Sequence, residues 1–276
     1  MHPLPPVHTI DLFAPERDAL IALLESLAPD EWDAPTVCAG WSVKDIAAHI
    51  LADDFGNIAR GRDGYRVSWF DAPSWEALLD YINRQNEAWV DAMRRVSPRL
   101  IRELLRFSGE RFVATMRARD LDAIGDPVSW AGPEPAPVRL DVAREYTERW
   151  LHQQQIRDAV GRPGLKNRSM FGPVLDTFVR ALPFTYRDVV AADGTHVRLI
   201  VEGEAGGAWS LLRHDGAWAL VAGIDAAAAS KVMLDQETAW RLFTKGITPE
   251  AARERATIDG DVTLGAVALT MASIIA

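Results

Sequence analysis

Cysteine is nearly absent: Cys38 stands alone in 276 residues. One thiol excludes an intramolecular disulfide framework and any multi-cysteine metal site, and a free thiol fits a reducing, cytoplasmic location. Lysine is also scarce, so arginine supplies most of the cationic charge. Even so the formal net charge is -9, and a chain without basic excess is not expected to bind nucleic acid or an anionic membrane. No apolar run approaches the roughly 18 residues of a spanning helix. The opening MHPLPPVHTIDLF lacks a basic stretch followed by an apolar one, so no signal peptide is expected. There is no GxSxG elbow, phosphate loop, HExxH or paired CxxC. Repeats and low-complexity tracts are missing too. The Gly203–Gly207 stretch does not match a dinucleotide fingerprint and reads as a turn.

What is present is a helical first part and a mixed second part. Apolar residues at helical spacing predict a helix over 10–27, stopped by Pro29. Ser42 with Asp45 three residues on reads as a capping-box start for a second helix carrying Ile46, Ala47, Ile50, Leu51 and Phe55 on one face. A third is expected from Ser74 to Met93. A fourth runs from Pro98 to Met116 with Leu100, Ile101, Leu104, Leu105 and Phe112 inward. Residues 120–137, rich in proline and glycine, read as a loop. A long helix follows from Val138 to Val160, stopped by Gly161 and Pro163. Together these make a helical bundle.

After Gly164 the pattern changes. A helix over 169–182 leads into alternating strands at 196–201, 208–213 and 217–221, with His214-Asp215-Gly216 as a hairpin signal. A strand at 230–234, short helices at 237–243 and 249–254, a strand at 256–259 and a helix at 262–275 complete an α/β or α+β module. The expected division is 1–165 for the bundle and 166–276 for the second domain.

Six histidines form the titratable inventory. His2 and His8 fall in an irregular start, and His196 and His214 read as solvated. His49 lies between Ile46 and Ile50 on the second helix, facing the bundle interior or its rim. His152 follows Glu148 by four residues, which puts both on one face of the long helix. Two imidazoles and a carboxylate from two helices are how bundles build metal sites, with a coordination position left open. The residues alone favour the plain alternative, since Glu-x-x-x-His is common on exposed helices. Asp45 and Asp53 flank His49 at minus four and plus four. They read as capping and solvated groups rather than ligands.

Two segments carry a resemblance. Glu31 to His49, EWDAPTVCAGWSVKDIAAH, and Glu148 to Pro163, ERWLHQQQIRDAVGRP, resemble the two metal-ligand segments of the mycothiol-dependent maleylpyruvate isomerase family of DinB-like metalloenzymes. The Ile258-Asp259-Gly260-Asp261 turn into the last helix is a weaker match. The resemblance implies a DinB-like four-helix bundle with a smaller C-terminal α/β, sterol-carrier-like domain. It implies His49, Glu148 and His152 as ligands of a divalent metal: zinc, nickel or iron. Cys38 and Trp41 then sit in the family's Cys-x-Gly-Trp turn as structural residues.

The activity implied is that of an isomerase or transferase that uses mycothiol. A metal-held thiolate adds to maleylpyruvate, the new single bond rotates, and elimination gives fumarylpyruvate. An arginine should hold the substrate carboxylates, with Arg241 first and Arg157 second as candidates. The partners implied are a small thiol and a small electrophile, in a monomer or homodimer. Two other classes stay open. One is a metal-hydroxide hydrolase with Glu145 or Asp45 as base. The other is a non-enzymatic binding protein whose second domain carries an apolar ligand.

Overall fold

A computed structural model describes residues 2–65, 73–224 and 227–274. In chain order the elements are β1 (His2–Pro3), α1 (Phe13–Glu25), α2 (Val43–Gly61), α3 (Trp75–Met93), α4 (Pro98–Arg117), β2 (Ile124–Pro127), β3 (Pro135–Pro137) and α5 (Val138–Ala159). Then come α6 (Arg168–Phe178), α7 (Leu182–Thr185), β4 (His196–Glu202), β5 (Gly207–His214), β6 (Ala217–Ala222), β7 (Ser230–Asp235), α8 (Gln236–Phe243), α9 (Pro249–Arg253), β8 (Thr257–Gly260) and α10 (Val262–Ala266). Helices dominate the first part and a mixed sheet the second, the fold class expected from sequence. No helix among the described residues is long and apolar enough to cross a membrane.

The chain forms two compact units. The helical unit comprises Thr9–Leu121 and Glu145–Leu165; the sheet unit comprises Met1–His8, Asp122–Arg144 and Lys166–Ile275. A single cut after residue 165 therefore does not describe the units. The N-terminal residues join the sheet unit because β1 pairs antiparallel with β6. Residues 122–144 contain β2 and β3, which pair with each other. Prolines at both ends of β3 argued against strands there, and such short, edge-like pairing is where proline is tolerated.

In the helical unit, Ser42 starts α2. Its hydroxyl accepts from the Asp45 N–H, and its own N–H donates to Asp45. This supplies partners to amides that the first turn leaves orphaned. The Ser74 and Ser97 hydroxyls cap α3 and α4 by accepting from the N–H groups of Ala77 and Leu100. Gly161 closes the chain path after α5 at a φ of +64°, a conformation that favours glycine. Leu20, Leu24, Val43, Ile46, Ile50, Leu51, Ile101, Leu105 and Ile156 form the apolar core. Leu100, expected inward, is 44% exposed; the inward face of α4 takes Ile101 and Leu105 instead.

The six-stranded sheet has the order β1-β6-β5-β4-β7-β8, with β4 and β7 parallel and the other pairs antiparallel. Alternation puts Val197, Leu199 and Val201 of β4 and Val232 and Leu234 of β7 into the core. The two-residue turn between His214 and Ala217 has Asp215 at φ +49° and Gly216 at +72°, as a type I′ hairpin requires. The helix expected over 169–182 ends at Phe178 and continues as 3-10 and α turns to Thr185, with Pro183 at the start of α7. There its missing N–H costs nothing. The helix expected from Val262 is one short helix and a 3-10 turn ending at Thr270; Ile275 lies outside the described residues. His196, read as solvated, is buried.

Candidate metal centre

Helices α2 and α5 supply the side chains. His49 and Asp53 are one turn apart on α2, and His152 projects from α5. One ligand atom from each lies within 4.8 Å of the other two. The two imidazoles meet edge to face, with centroids 4.7 Å apart. Trp41, from the turn before α2, lies 5.2 Å from the His49 ring and donates its indole N–H to Glu87. It forms a wall beside His49.

The electrostatics suit a cation. Burial pushes the His49 pKa down to about 3, with His152 and Arg149 adding to the shift. Burial takes His152 down to about 4, against the hydrogen bond to Gln155 and with help from Arg149. Both rings are therefore neutral near pH 7 and present lone pairs. The Nδ1 of His49 is buried without a hydrogen-bond partner, which is costly unless something occupies it. Asp53 is pushed up to about 7 by burial, against Arg149, with repulsion from Glu145, Glu148 and Asp54 adding to the rise. A nearby cation relieves each of these penalties. Two neutral imidazoles and one carboxylate thus fit a divalent ion of the zinc, nickel or iron type.

Glu148, the carboxylate expected from sequence, lies half-buried one turn before His152, near enough to Asp53 to raise its pKa. The carboxylate in the three-residue cluster is that of Asp53. From sequence alone Asp53 reads as a solvated group. The available signal was its spacing: it follows His49 by four residues, as His152 follows Glu148.

The remaining candidates have other partners. Asp45 holds the α2 cap and pairs with Arg94 at 3.2 Å. Glu145 is buried and accepts from Arg149 at 2.8 Å and from Asn57 at 3.1 Å. Arg157 donates to Gln153 Oε1 and to the Arg162 carbonyl. Arg241, in the sheet unit, pairs with Glu237 at 2.6 Å and stacks on Trp240. Cys38 is half-buried, and burial pushes its thiol up against the hydrogen bond from Thr36. A protonated thiol there packs against the bundle core.

A sequence profile of the mycothiol maleylpyruvate isomerase N-terminal domain matches residues 13–157, the stretch that contains all three clustered residues. This chain belongs to the mycothiol maleylpyruvate isomerase family. Two solved structures share its fold. One, described as a mycothiol-dependent maleylpyruvate isomerase, is 13% identical with a TM-score of 0.51, covering 87% of this chain and 88% of that one. The other, a histidine-to-alanine mutant of a mycothiol-dependent maleylpyruvate isomerase, is 13% identical with a TM-score of 0.53 and covers 94% and 95%. Comparison with curated proteins finds no match.

Proposed function

We propose that this family member is a metal- and thiol-dependent enzyme that uses mycothiol to isomerise, or to transfer sulfur to, a small electrophile such as maleylpyruvate. The observation that carries the reading is the convergence of His49, Asp53 and His152 from two helices, with both imidazoles neutral. These three would hold the ion, with Glu148 as the carboxylate on the adjoining turn. A divalent ion bound there lowers the pKa of a coordinating thiol and leaves it as the nucleophilic thiolate.

In the isomerisation, the thiol sulfur bonds to one alkene carbon of the electrophile. The alkene electron pair moves to the conjugated carbonyl oxygen, leaving a rotatable single bond. After rotation the pair returns, the carbon–sulfur bond breaks, and the thiol leaves unchanged. In sulfur transfer, protonation of the adduct replaces the elimination. The chain's own contribution is to keep the imidazoles unprotonated by burial and to wall the site with Trp41. For the substrate carboxylates we retain Arg241 and Arg157. A substrate at Arg241 would exchange one carboxylate, that of Glu237, for another.

The test is metal content beside turnover with and without mycothiol. About one equivalent of a divalent metal and strict thiol dependence are expected. Turnover without thiol points to the metal-hydroxide hydrolase instead. A wild type that stays metal-free after incubation with zinc overturns the reading, and binding of apolar ligands by that protein points to a non-enzymatic carrier.

The pH dependence of metal binding follows from the same groups. At pH 6 the imidazoles of the metal-free protein are already neutral, whereas Asp53, pushed up to about 7, is still largely protonated. Zinc binding at pH 6 should then displace close to one proton, and affinity should fall about tenfold per pH unit below 7. Calorimetry in buffers of different ionisation enthalpy measures that proton. Asp53→Asn should remove it; an undiminished proton release in that variant assigns it elsewhere.

A further inference from the structure

The run Gln153-Gln154-Gln155 follows His152 directly, and the proposed function gives it no role. Each glutamine has a different task in the structure. Gln153 is buried, and its amide nitrogen donates to the Glu16 side chain at 2.7 Å and to the Glu16 carbonyl at 3.1 Å. Its oxygen accepts from Arg157. Gln154 donates to the Gly164 carbonyl at 3.1 Å. Both tie the helix to neighbouring chain. Gln155 does something else: its Oε1 lies 2.8 Å from Nδ1 of His152.

We propose that Gln155 is a positioning residue that selects the metal-binding tautomer of His152, an inference that rests on the metal-site reading above. An amide oxygen can only accept. With Oε1 facing the ring, Nδ1 must carry the proton and donate it, which leaves the lone pair on Nε2. The opposite amide orientation would donate to Nδ1, place the proton on Nε2, and block coordination there. The bond also fixes the rotation of the ring about its χ2 torsion. The His49 ring has no equivalent support: its Nδ1 is without a partner, and its orientation rests on packing between Trp41 and His152. The site is therefore asymmetric, with one imidazole set by a hydrogen bond and one by packing.

Partners of this kind around ligating histidines typically change metal affinity by about 10–100-fold when removed. The experiment compares wild type, Gln155→Leu and Gln155→Glu by zinc competition against a chromophoric chelator. It adds long-range nitrogen–proton NMR of the metal-free proteins, with His152→Asn to assign the ring. Gln155→Leu should bind zinc about 10–100-fold more weakly and show a mixed His152 tautomer. Gln155→Glu keeps an acceptor in place and should restore both the affinity and the Nδ1–H form. Wild-type zinc binding together with affinity in Gln155→Leu within twofold of wild type overturns the role of Gln155 and leaves the metal site standing. Failure of the wild type to bind zinc overturns the metal site. In that case the tautomer still decides on Gln155, since a wild-type His152 protonated at Nε2 overturns it and an Nδ1–H form lost in Gln155→Leu supports it.

Discussion

Alanine in place of His49 or His152 should abolish stoichiometric metal binding and reduce thiol-dependent turnover to background. Apparent zinc binding energies of about 10–16 kcal/mol, shared among three or four ligands, make each ligand worth about 2.5–5 kcal/mol, or roughly a hundredfold to several thousandfold in affinity. The fold should survive both changes, because among the described residues no hydrogen bond ties either imidazole to another helix: His49 Nδ1 has no partner and His152 Nδ1 bonds within its own helix. Unchanged circular dichroism with lost metal is the expected pair of observations. The same titration separates the two carboxylates. The clustering of His49, Asp53 and His152 predicts that Asp53→Ala loses affinity on the histidine scale. The resemblance of the Glu148-to-His152 segment to the family's ligand motif predicts that Glu148→Ala does. A large loss in Asp53→Ala with a small one in Glu148→Ala makes Asp53 the carboxylate ligand; the reverse order returns that role to Glu148. Comparable losses in both assign two carboxylates to one ion, a donor set better suited to a higher coordination number than tetrahedral zinc.

Sequence reasoning reaches the helices because their ends are written in side chains. Ser42, Ser74 and Ser97 each cap a helix, and Gly161 ends one. The Asp215-Gly216 turn is legible for the same reason, since its backbone conformation restricts which residues fit. The pairing of β1 with β6 is not legible. Two residues carry no periodicity, and their partner lies more than two hundred positions away. Burial of His196 is hidden because the alternation slips at the head of β4, where His196 and Val197 are both buried. At the site, His49 and His152 stand out by residue type and by motif. Asp53 does not, because an aspartate on the polar side of a helix reads the same whether it meets solvent or a second helix. Only the approach of α5 to α2 distinguishes the cases, and that approach depends on groups no local pattern reveals.

Chief among those groups is Asp54, whose replacement by alanine should destabilise the protein by about 3–5 kcal/mol. Asp54 is fully buried and accepts two hydrogen bonds from Arg17, at 2.6 and 2.8 Å, one from Arg149 at 3.2 Å and one from Ser108 at 2.5 Å. One carboxylate thus joins α1, α2, α4 and α5. Burial alone would raise its pKa; the Arg17 and Arg149 guanidiniums and the Ser108 hydroxyl outweigh burial and hold it below the ordinary carboxylate range. Its contribution is accordingly present above the unfolded pKa and lost as pH falls through the lower folded value. Alanine removes the carboxylate that pairs with Arg17 and leaves Arg149 its ion pair with Glu145, so the large effect comes from stranded buried charge rather than from lost packing. Urea denaturation of the metal-free proteins measures it. The loss should persist at high salt, because a buried pair is screened little. Asp54 directly follows Asp53, and Arg149 directly follows Glu148, so the ion network and the candidate metal site occupy adjoining faces of the same two helices. Asp54→Ala should therefore weaken zinc binding although Asp54 lies outside the three-residue cluster. Replacing Arg17, Asp54 and Arg149 together by apolar residues of similar volume, with Glu145→Gln so that no buried carboxylate is left without its cation, should recover much of the stability. If zinc affinity returns with it, the network serves the site only by holding α2 against α5. If stability returns and affinity does not, the charges of Arg149 and Glu145 beside Asp53 contribute to metal binding directly.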